Sequence, residues 1–172
     1  VVREGAAEAR DRLITARDLM WHRGPDDAGV WTSDQACLGA RRLSIIDLSA
    51  AGHQPMVSAD GMRVLVFNGE IYNHRELRAE LEPGCVFTTG TDFEVLLHGY
   101  RRWGGEGLVR RLDGMFAFAI WDASTRTLFA ARDRVGKKPF FFRCDGRTMH
   151  FASTLNALSA LLPGTPDVDP AA

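Results

Sequence analysis

The sequence lacks any apolar stretch approaching the roughly 20 residues that a helix needs to cross a bilayer, which excludes a membrane-spanning helix and a membrane partner. It also lacks an excess of charge of either sign. With 21 basic and 22 acidic residues the formal net charge is -1, so no basic surplus is available to hold a polyanion, and nucleic acid is excluded as a partner. Cysteine is scarce. Cys37, Cys85 and Cys144 form an odd set without metal-ligand spacing and without a secretory segment ahead of them. That pattern implies reduced thiols in a cytoplasmic protein and leaves a structural metal without ligands. Internal repeats and low-complexity tracts are absent as well. What remains is 172 residues with 45% hydrophobic content, enough for one domain with a substantial core. The chain does not open with Met, and Pro163-Gly164-Thr165-Pro166 reads as a turn leading into a linker. Both ends are therefore expected to be cut, with the domain over 1–162 and a linker over 163–172.

Ala6, Ala9, Leu13, Ala16 and Met20 recur at steps of three and four, which predicts a helix over about 5–20. Gly24-Pro25-Asp26-Asp27 ends it, because proline disfavours the helical region for its predecessor and Asp supports turns. Short strands follow near Val30 and Leu38. Arg63 to Asn68 is a mostly apolar, β-branched and aromatic run between Asp60-Gly61 and Gly69, which predicts a buried strand. Asn73 with Glu76, and Thr91 with Glu94, have capping-box spacing. They predict helices over 74–82 and 92–103, the second turning Val95, Leu96, Gly99, Tyr100 and Trp103 inward. A short helical segment over 108–112 precedes strands at 115–121, 128–132, 140–143 and 149–151, with Asp145-Gly146 as a hairpin turn. A last helix covers 154–161. Strands in consecutive runs, with helices grouped between them, imply an α+β fold of mostly antiparallel sheets, two sheets between helices.

Three short motifs carry candidate chemistry. Arg41-Arg42-Leu43-Ser44-Ile45-Ile46-Asp47 sets two guanidinium groups ahead of an apolar segment that ends in a carboxylate; its plain reading is a strand with charged ends. Asn68-Gly69-Glu70 closes the buried strand with an amide, a residue without Cβ and a carboxylate. A turn accounts for this composition, but a side-chain amide N–H next to an accessible glycine N–H is also what a developing oxyanion requires. Thr89-Gly90-Thr91-Asp92 reads plainly as a helix N-terminus with an acid on the dipole.

The order of the whole series changes that weighing. His22-Arg23-Gly24-Pro25-Asp26, Arg42 to Asp47, Gln54-Pro55-Met56, Phe67 to Asn73, Thr91-Asp92 with Glu94, Leu112 to Ala119, and Arg132-Asp133 with Gly136 and Pro139 follow one another. The series resembles the class II glutamine amidotransferase domain of glutamine-hydrolysing asparagine synthetases, over about residues 6–162. The resemblance implies an N-terminal-nucleophile hydrolase fold, an αββα four-layer sandwich. It also implies a mechanism in which an N-terminal cysteine attacks the glutamine side-chain amide, with its own α-amine as base. Asn68 and Gly69 would then form the oxyanion hole. Arg42 would take the glutamine α-carboxylate and Asp92 the α-ammonium, with Glu70 beside it, and the backbone of Leu43, Ser44, Ile45 and Ile46 would line the pocket. His22 and Arg23 would order the loop around the nucleophile.

The sequence departs from that family at its start. Members begin Met-Cys-Gly-Ile and continue into a first strand, whereas Val1 stands close to the first helix. Cys37, Cys85 and Cys144 cannot substitute, since the mechanism needs a thiol and a free α-amine on one residue; they are expected to be packing residues. Ala40 replaces an expected His, and Thr154 and Asn156 an expected Glu and Lys. The implied function is ammonia supply from glutamine to an ATP-dependent synthetase domain. The alternative is a catalytically silent scaffolding or binding domain of an adenylating synthetase. The expected partners are glutamine, a C-terminal synthetase domain of the same polypeptide and a second copy in a homodimer. The domain itself would need no cofactor or metal, because ATP and magnesium belong to the synthetase half.

Overall fold

The computed structural model describes residues 6–164. Helix α1 (Ala6–Asp18) runs into a 3₁₀ turn at Trp21–Arg23, where the glycine-proline sequence ends it. Strands β1 (Asp27–Thr32) and β2 (Cys37–Arg42) form an antiparallel hairpin, with Asp27 opposite Arg42 and Thr32 opposite Cys37. A four-stranded antiparallel sheet follows, in the order β3 (Met56–Val57), β4 (Arg63–Ile71), β5 (Gly114–Asp122) and β6 (Thr127–Arg132). Helices α2 (His74–Leu81) and α3 (Glu94–Val109) lie between β4 and β5 in the chain. Strands β7 (Phe141–Cys144) and β8 (Met149–Ala152) make a second hairpin, and α4 (Leu155–Leu161) closes the described chain, N-capped by Thr154, whose hydroxyl accepts the Ala157 N–H at 3.3 Å.

Three apolar interfaces separate four layers. Leu65, Ile71, Phe118 and Ile120, on one face of the four-stranded sheet, pack on Leu77, Leu81, Val95, Leu96 and Leu108 of α2 and α3. Val64 and Trp121, on the opposite face, meet Leu38 of β2, with Phe151 of β8 against them. Ala16 of α1 packs on Ala157 and Leu158 of α4 and on Ala152 of β8. The strand period of two gives β4 and β5 two apolar faces, so the sheet must be covered on both sides. The result is the expected αββα sandwich. Its outer β layer comprises two separate hairpins, and among the described residues β2 and β8 each have a strand partner on one side only. Among the described residues no helix is long and apolar enough to cross a membrane.

Several boundaries differ from expectation. Strand β4 runs to Ile71, not Asn68, because β5 pairs with it along its whole length, down to Ile71 opposite Gly114. Asn68, Gly69 and Glu70 are therefore strand residues and not a turn. Neither capping box forms. The Asn73 side chain donates to the Arg111 carbonyl (2.8 Å) and accepts from the Asp113 N–H (3.0 Å), while Glu94 opens α3 and reaches back to Thr88 and Thr89 rather than Thr91. Helix α3 extends to Val109 and so takes in the first two residues of the separate segment expected over 108–112, with a break at Gly104, whose φ of +71° suits glycine. Residues 43–49 are irregular, so Arg41 and Arg42 end a strand instead of starting one. Cys37 and Cys85 are half-buried, but Cys144 is exposed because both faces of β7 meet solvent, and it is not a packing residue. The expected linker from 165 onward lies outside the described residues.

The core assignment predicts a contrast between two phenylalanines. Phe118 is 1% exposed and Phe142 61%. Urea unfolding followed by circular dichroism should show Phe118→Ala destabilised by about 3–5 kcal/mol and Phe142→Ala by within about 0.5 kcal/mol. Equal losses would place the core on the wrong face.

Candidate active site

The site begins with the hydrogen-bond accounting of one strand edge. Beyond the two residues of β3, β4 has no strand neighbour on that side among the described residues. Side chains take over. Gln54 Oε1 accepts the Phe67 N–H at 2.7 Å and Asp92 Oδ2 accepts the Ile71 N–H at 2.8 Å. By strand alternation the Gly69 N–H points to the same edge, between these two. On the other side, its cross-strand partner Phe116 turns its own polar groups toward β6: its carbonyl accepts the Asp133 N–H at 2.8 Å and its N–H meets Asp133 Oδ2 at 3.3 Å. The Gly69 N–H is thus left without a described acceptor. Glycine is required here, since the φ of +155° is rarely adopted by L side chains and a Cβ would collide with the Met115 carbonyl oxygen.

Asn68 lies one residue earlier and so faces the opposite side of the sheet, between the β layers. Its Nδ2 is buried and has no hydrogen-bond partner. A buried amide donor left unsatisfied costs about 1–3 kcal/mol, and two vacant donors on adjacent residues mark a place reserved for an acceptor.

Both residues line a half-open cavity of about 450 Å³ between the layers. Its floor on the four-stranded sheet is small and apolar: Val66, Ala117 and Ala119. Gly39 and Ala40 of β2 border it on one side and Ala152 and Ser153 at the end of β8 on the other, beneath Leu13, Ala16 and Ala157 of the helices. The cavity therefore lies in the gap between the two hairpins. Ala40, where the family carries His, is buried against it.

The charged residues gather at the Asn68 end. Arg42 is 8% exposed, and its guanidinium donates to the Ser49 carbonyl at 2.9 Å and to the Asp47 carbonyl. These two bonds curl the 43–49 segment around the guanidinium. Leu43, Ile45 and Ile46 line the cavity but are 54%, 65% and 47% exposed; the Ser44 N–H is bound by Asp26 Oδ2 at 2.8 Å, and Ser44 is not among the cavity-lining residues. Asp92 is 4% exposed, and burial raises its carboxyl above the ordinary aspartate range despite the Ile71 N–H bond. Glu70 also lines the cavity, and its charge pushes Asp92 the same way.

All the expected site residues except Ser44 thus line one cavity. His22 and Arg23 form the 3₁₀ turn after α1; Arg23 reaches the cavity and His22 does not. None of the three cysteines lines it. Among the residues without an expected role that line it are Gln54 and Lys138. A glutamine fixed ahead of a proline was the signal for the first. For Lys138 the signal was its place between Asp133 and Pro139: Asp133 is buried and binds the Lys137 and Lys138 N–H groups at 2.8 and 3.0 Å.

Comparison with known proteins gives the chain its family. The family pattern described as a glutamine amidotransferase domain matches residues 2–172. The chain is 50% identical over 146 residues to a putative glutamine-hydrolysing asparagine synthetase of Mycobacterium tuberculosis, covering 78% of this chain and 22% of that protein. It is 41% identical over 158 residues to asparagine synthetase B of Escherichia coli, covering 91% and 28%. The chain thus spans about a quarter of the length of these relatives. Among solved structures, the glutamine phosphoribosylpyrophosphate amidotransferase of Bacillus subtilis superposes with a TM-score of 0.67 at 23% identity, over 87% of this chain and 41% of that one; this likeness concerns the N-terminal-nucleophile hydrolase fold. Because the family pattern spans nearly the whole sequence, this chain belongs to the glutamine amidotransferase domain family.

Proposed function

We propose that this domain binds free glutamine, hydrolyses its side-chain amide to glutamate, and supplies the ammonia to an ATP-dependent synthetase domain of the same polypeptide. The observation that carries the reading is the buried Asn68 Nδ2, without a hydrogen-bond partner among the described residues, beside Gly69 on the cavity wall. Attack of a thiolate on the glutamine amide carbon turns its carbonyl oxygen into an oxyanion, which the Asn68 amide and the Gly69 N–H stabilise without reorganising. Collapse of that intermediate breaks the C–N bond; ammonia leaves as it gains a proton from the α-ammonium of the nucleophile, and a thioester remains. Water then attacks the thioester carbon and releases glutamate and the thiol. Arg42 and Asp92 select the amino-acid end, one cation and one anion matching the substrate's own two charges. ATP and magnesium act in the synthetase domain, and a cytoplasmic setting suits the reduced thiol.

The nucleophile would come from an N-terminal cysteine on a strand preceding α1. The gap between β2 and β8 supports this, because an extended segment placed there finds a strand edge on either side and apolar walls above and below. The second reading, a silent binding domain, draws support from the absence of all three cysteines from the cavity lining. Glutaminase activity in the full-length protein separates the two.

Two outcomes test the site. In a form carrying the N-terminal cysteine, Asn68→Ala should lower kcat by about 10²–10³ with little change in KM, since the amide acts on the transition state. A folded variant with near-normal kcat would return Asn68 to a structural role. The second outcome concerns pH. Asp92 must be ionised to hold an ammonium, and its pKa is raised, so calorimetric glutamine affinity should fall as pH is lowered toward the ordinary aspartate value of 3.8, before that value is reached. Asp92→Asn should weaken binding roughly ten- to a hundredfold, from a contact of about 1.5–3 kcal/mol, and flatten this dependence. The sign is opposite for the unliganded fold: a raised carboxyl pKa means that folding favours the proton, so the Asp92 contribution to stability declines as pH rises above 3.8. Affinity that stays constant over the range would remove Asp92 from the ammonium role.

A further inference from the structure

Residues 85–93 contain no helix or strand, yet this segment carries Asp92 into the cavity. Its shape is held by two charged residues outside the cavity lining. Glu94, the first residue of α3 and 4% exposed, turns its carboxylate back: Oε1 accepts the Thr88 N–H (2.8 Å) and hydroxyl (2.9 Å), and Oε2 accepts the Thr89 N–H (2.8 Å) and hydroxyl (2.7 Å). Arg78 of α2 donates to the carbonyls of Thr89 (2.8 Å) and Thr91 (3.4 Å), stands 3.9 Å from Glu94 Oε2, and lies 4.1 Å above the Phe87 ring. His98 Nε2 approaches Glu94 Oε1 at 3.6 Å. Side chains thus provide the bonds that a sheet or helix would otherwise supply.

The segment has two outputs toward the site. The Gly90 N–H donates to Asp47 Oδ2 at 2.9 Å, and Asp47 is the residue whose carbonyl Arg42 holds and whose Oδ1 binds the Ser49 N–H at 2.9 Å. Two residues further on, Asp92 binds the β4 edge at Ile71. We propose that Glu94 and Arg78 are positioning residues for substrate selection: they set where Asp92 stands and, through the Gly90–Asp47 bridge, where the Arg42 loop stands. The distance between the cationic and anionic ends of the amino-acid site is thereby fixed before ligand arrives. This inference rests on the glutamine reading above.

The electrostatics fit the role. Burial pushes the Glu94 carboxyl up, but hydrogen bonds from His98, Thr88 and Thr89 outweigh it and hold it at about 2. Its contribution to stability is therefore present above its ordinary 4.5 and lost as pH falls from there toward about 2. The scaffold stays charged where Asp92 titrates.

The test uses the chain with amide hydrogen exchange, without ligand, and then glutamine calorimetry. Glu94→Gln keeps an acceptor for Thr88 but offers Thr89 an NH₂ group. Exchange at Thr89, Gly90 and Ile71 should accelerate about tenfold, as expected for the loss of bonds worth about 1 kcal/mol, while β5 amides change by less than about twofold. Arg78→Met should move the same set. Faster exchange spread evenly over the domain, or no change at Gly90 and Ile71, would overturn the proposal, because a merely stabilising carboxylate affects all amides together. In calorimetry Glu94→Gln should weaken glutamine about tenfold, and wild-type affinity in that variant would also overturn it. Failure of the wild-type chain to bind glutamine would instead count against the glutaminase reading, and the exchange data would still decide whether Glu94 and Arg78 position Asp92.

Discussion

The unpaired edge of β4 is the constraint on which the site depends. Every backbone N–H on that edge must find an acceptor or remain available, and the chain fills it selectively. Gln54 takes Phe67, Asp92 takes Ile71, and Gly69 between them is left. The shortness of β3 makes this arrangement possible, since a longer strand would cover the edge with backbone carbonyls and remove the donor from the cavity. The polar site is thus a controlled interruption of a sheet.

Around that edge, charged side chains organise irregular segments. Arg42 gathers 43–49, Glu94 and Arg78 gather 87–91, and Asp133 gathers 133–138 by accepting two N–H groups of its own loop while meeting Phe116 on β5. Each of these charges is largely removed from water and satisfied by several bonds, the condition under which a buried ion is tolerated. Desolvation raises the carboxyl of Asp92, which has one backbone donor and a neighbouring Glu70, whereas Glu94 is held low by many donors. The two acids lie two residues apart and differ because one faces an open ligand site and the other a closed network.

The gap between β2 and β8 gives the fold its asymmetry. The four-stranded sheet is continuous and apolar on both faces, while the outer β layer is two hairpins with a cavity between them. Small residues on the floor, Ala117 and Ala119, leave room at strand spacing above the sheet. This is the geometry of an acceptor for an extended segment, and it sets the Asn68 amide beneath whatever enters.

Much of this was legible in the sequence. The apolar runs at 63–68 and 115–121, the three-four repeat in α1 and the Asp145-Gly146 hairpin each follow from local periodicity or turn chemistry and imply mostly antiparallel sheets between helices, while the four-layer sandwich and the site motifs were implied by the resemblance that the motif order carries. Three things were decided only in three dimensions. Asn68-Gly69-Glu70 is strand and not turn, because β5 pairs past it, and no local rule contains that partner. Glu94 binds Thr88 and Thr89 rather than capping at Thr91, because Arg78 from another helix holds the segment in place. Gln54 enters the site because a strand edge 13 residues away lacks an acceptor. Periodicity and motif order are properties of neighbours along the chain. The acceptor a backbone donor finds depends on what the fold brings beside it.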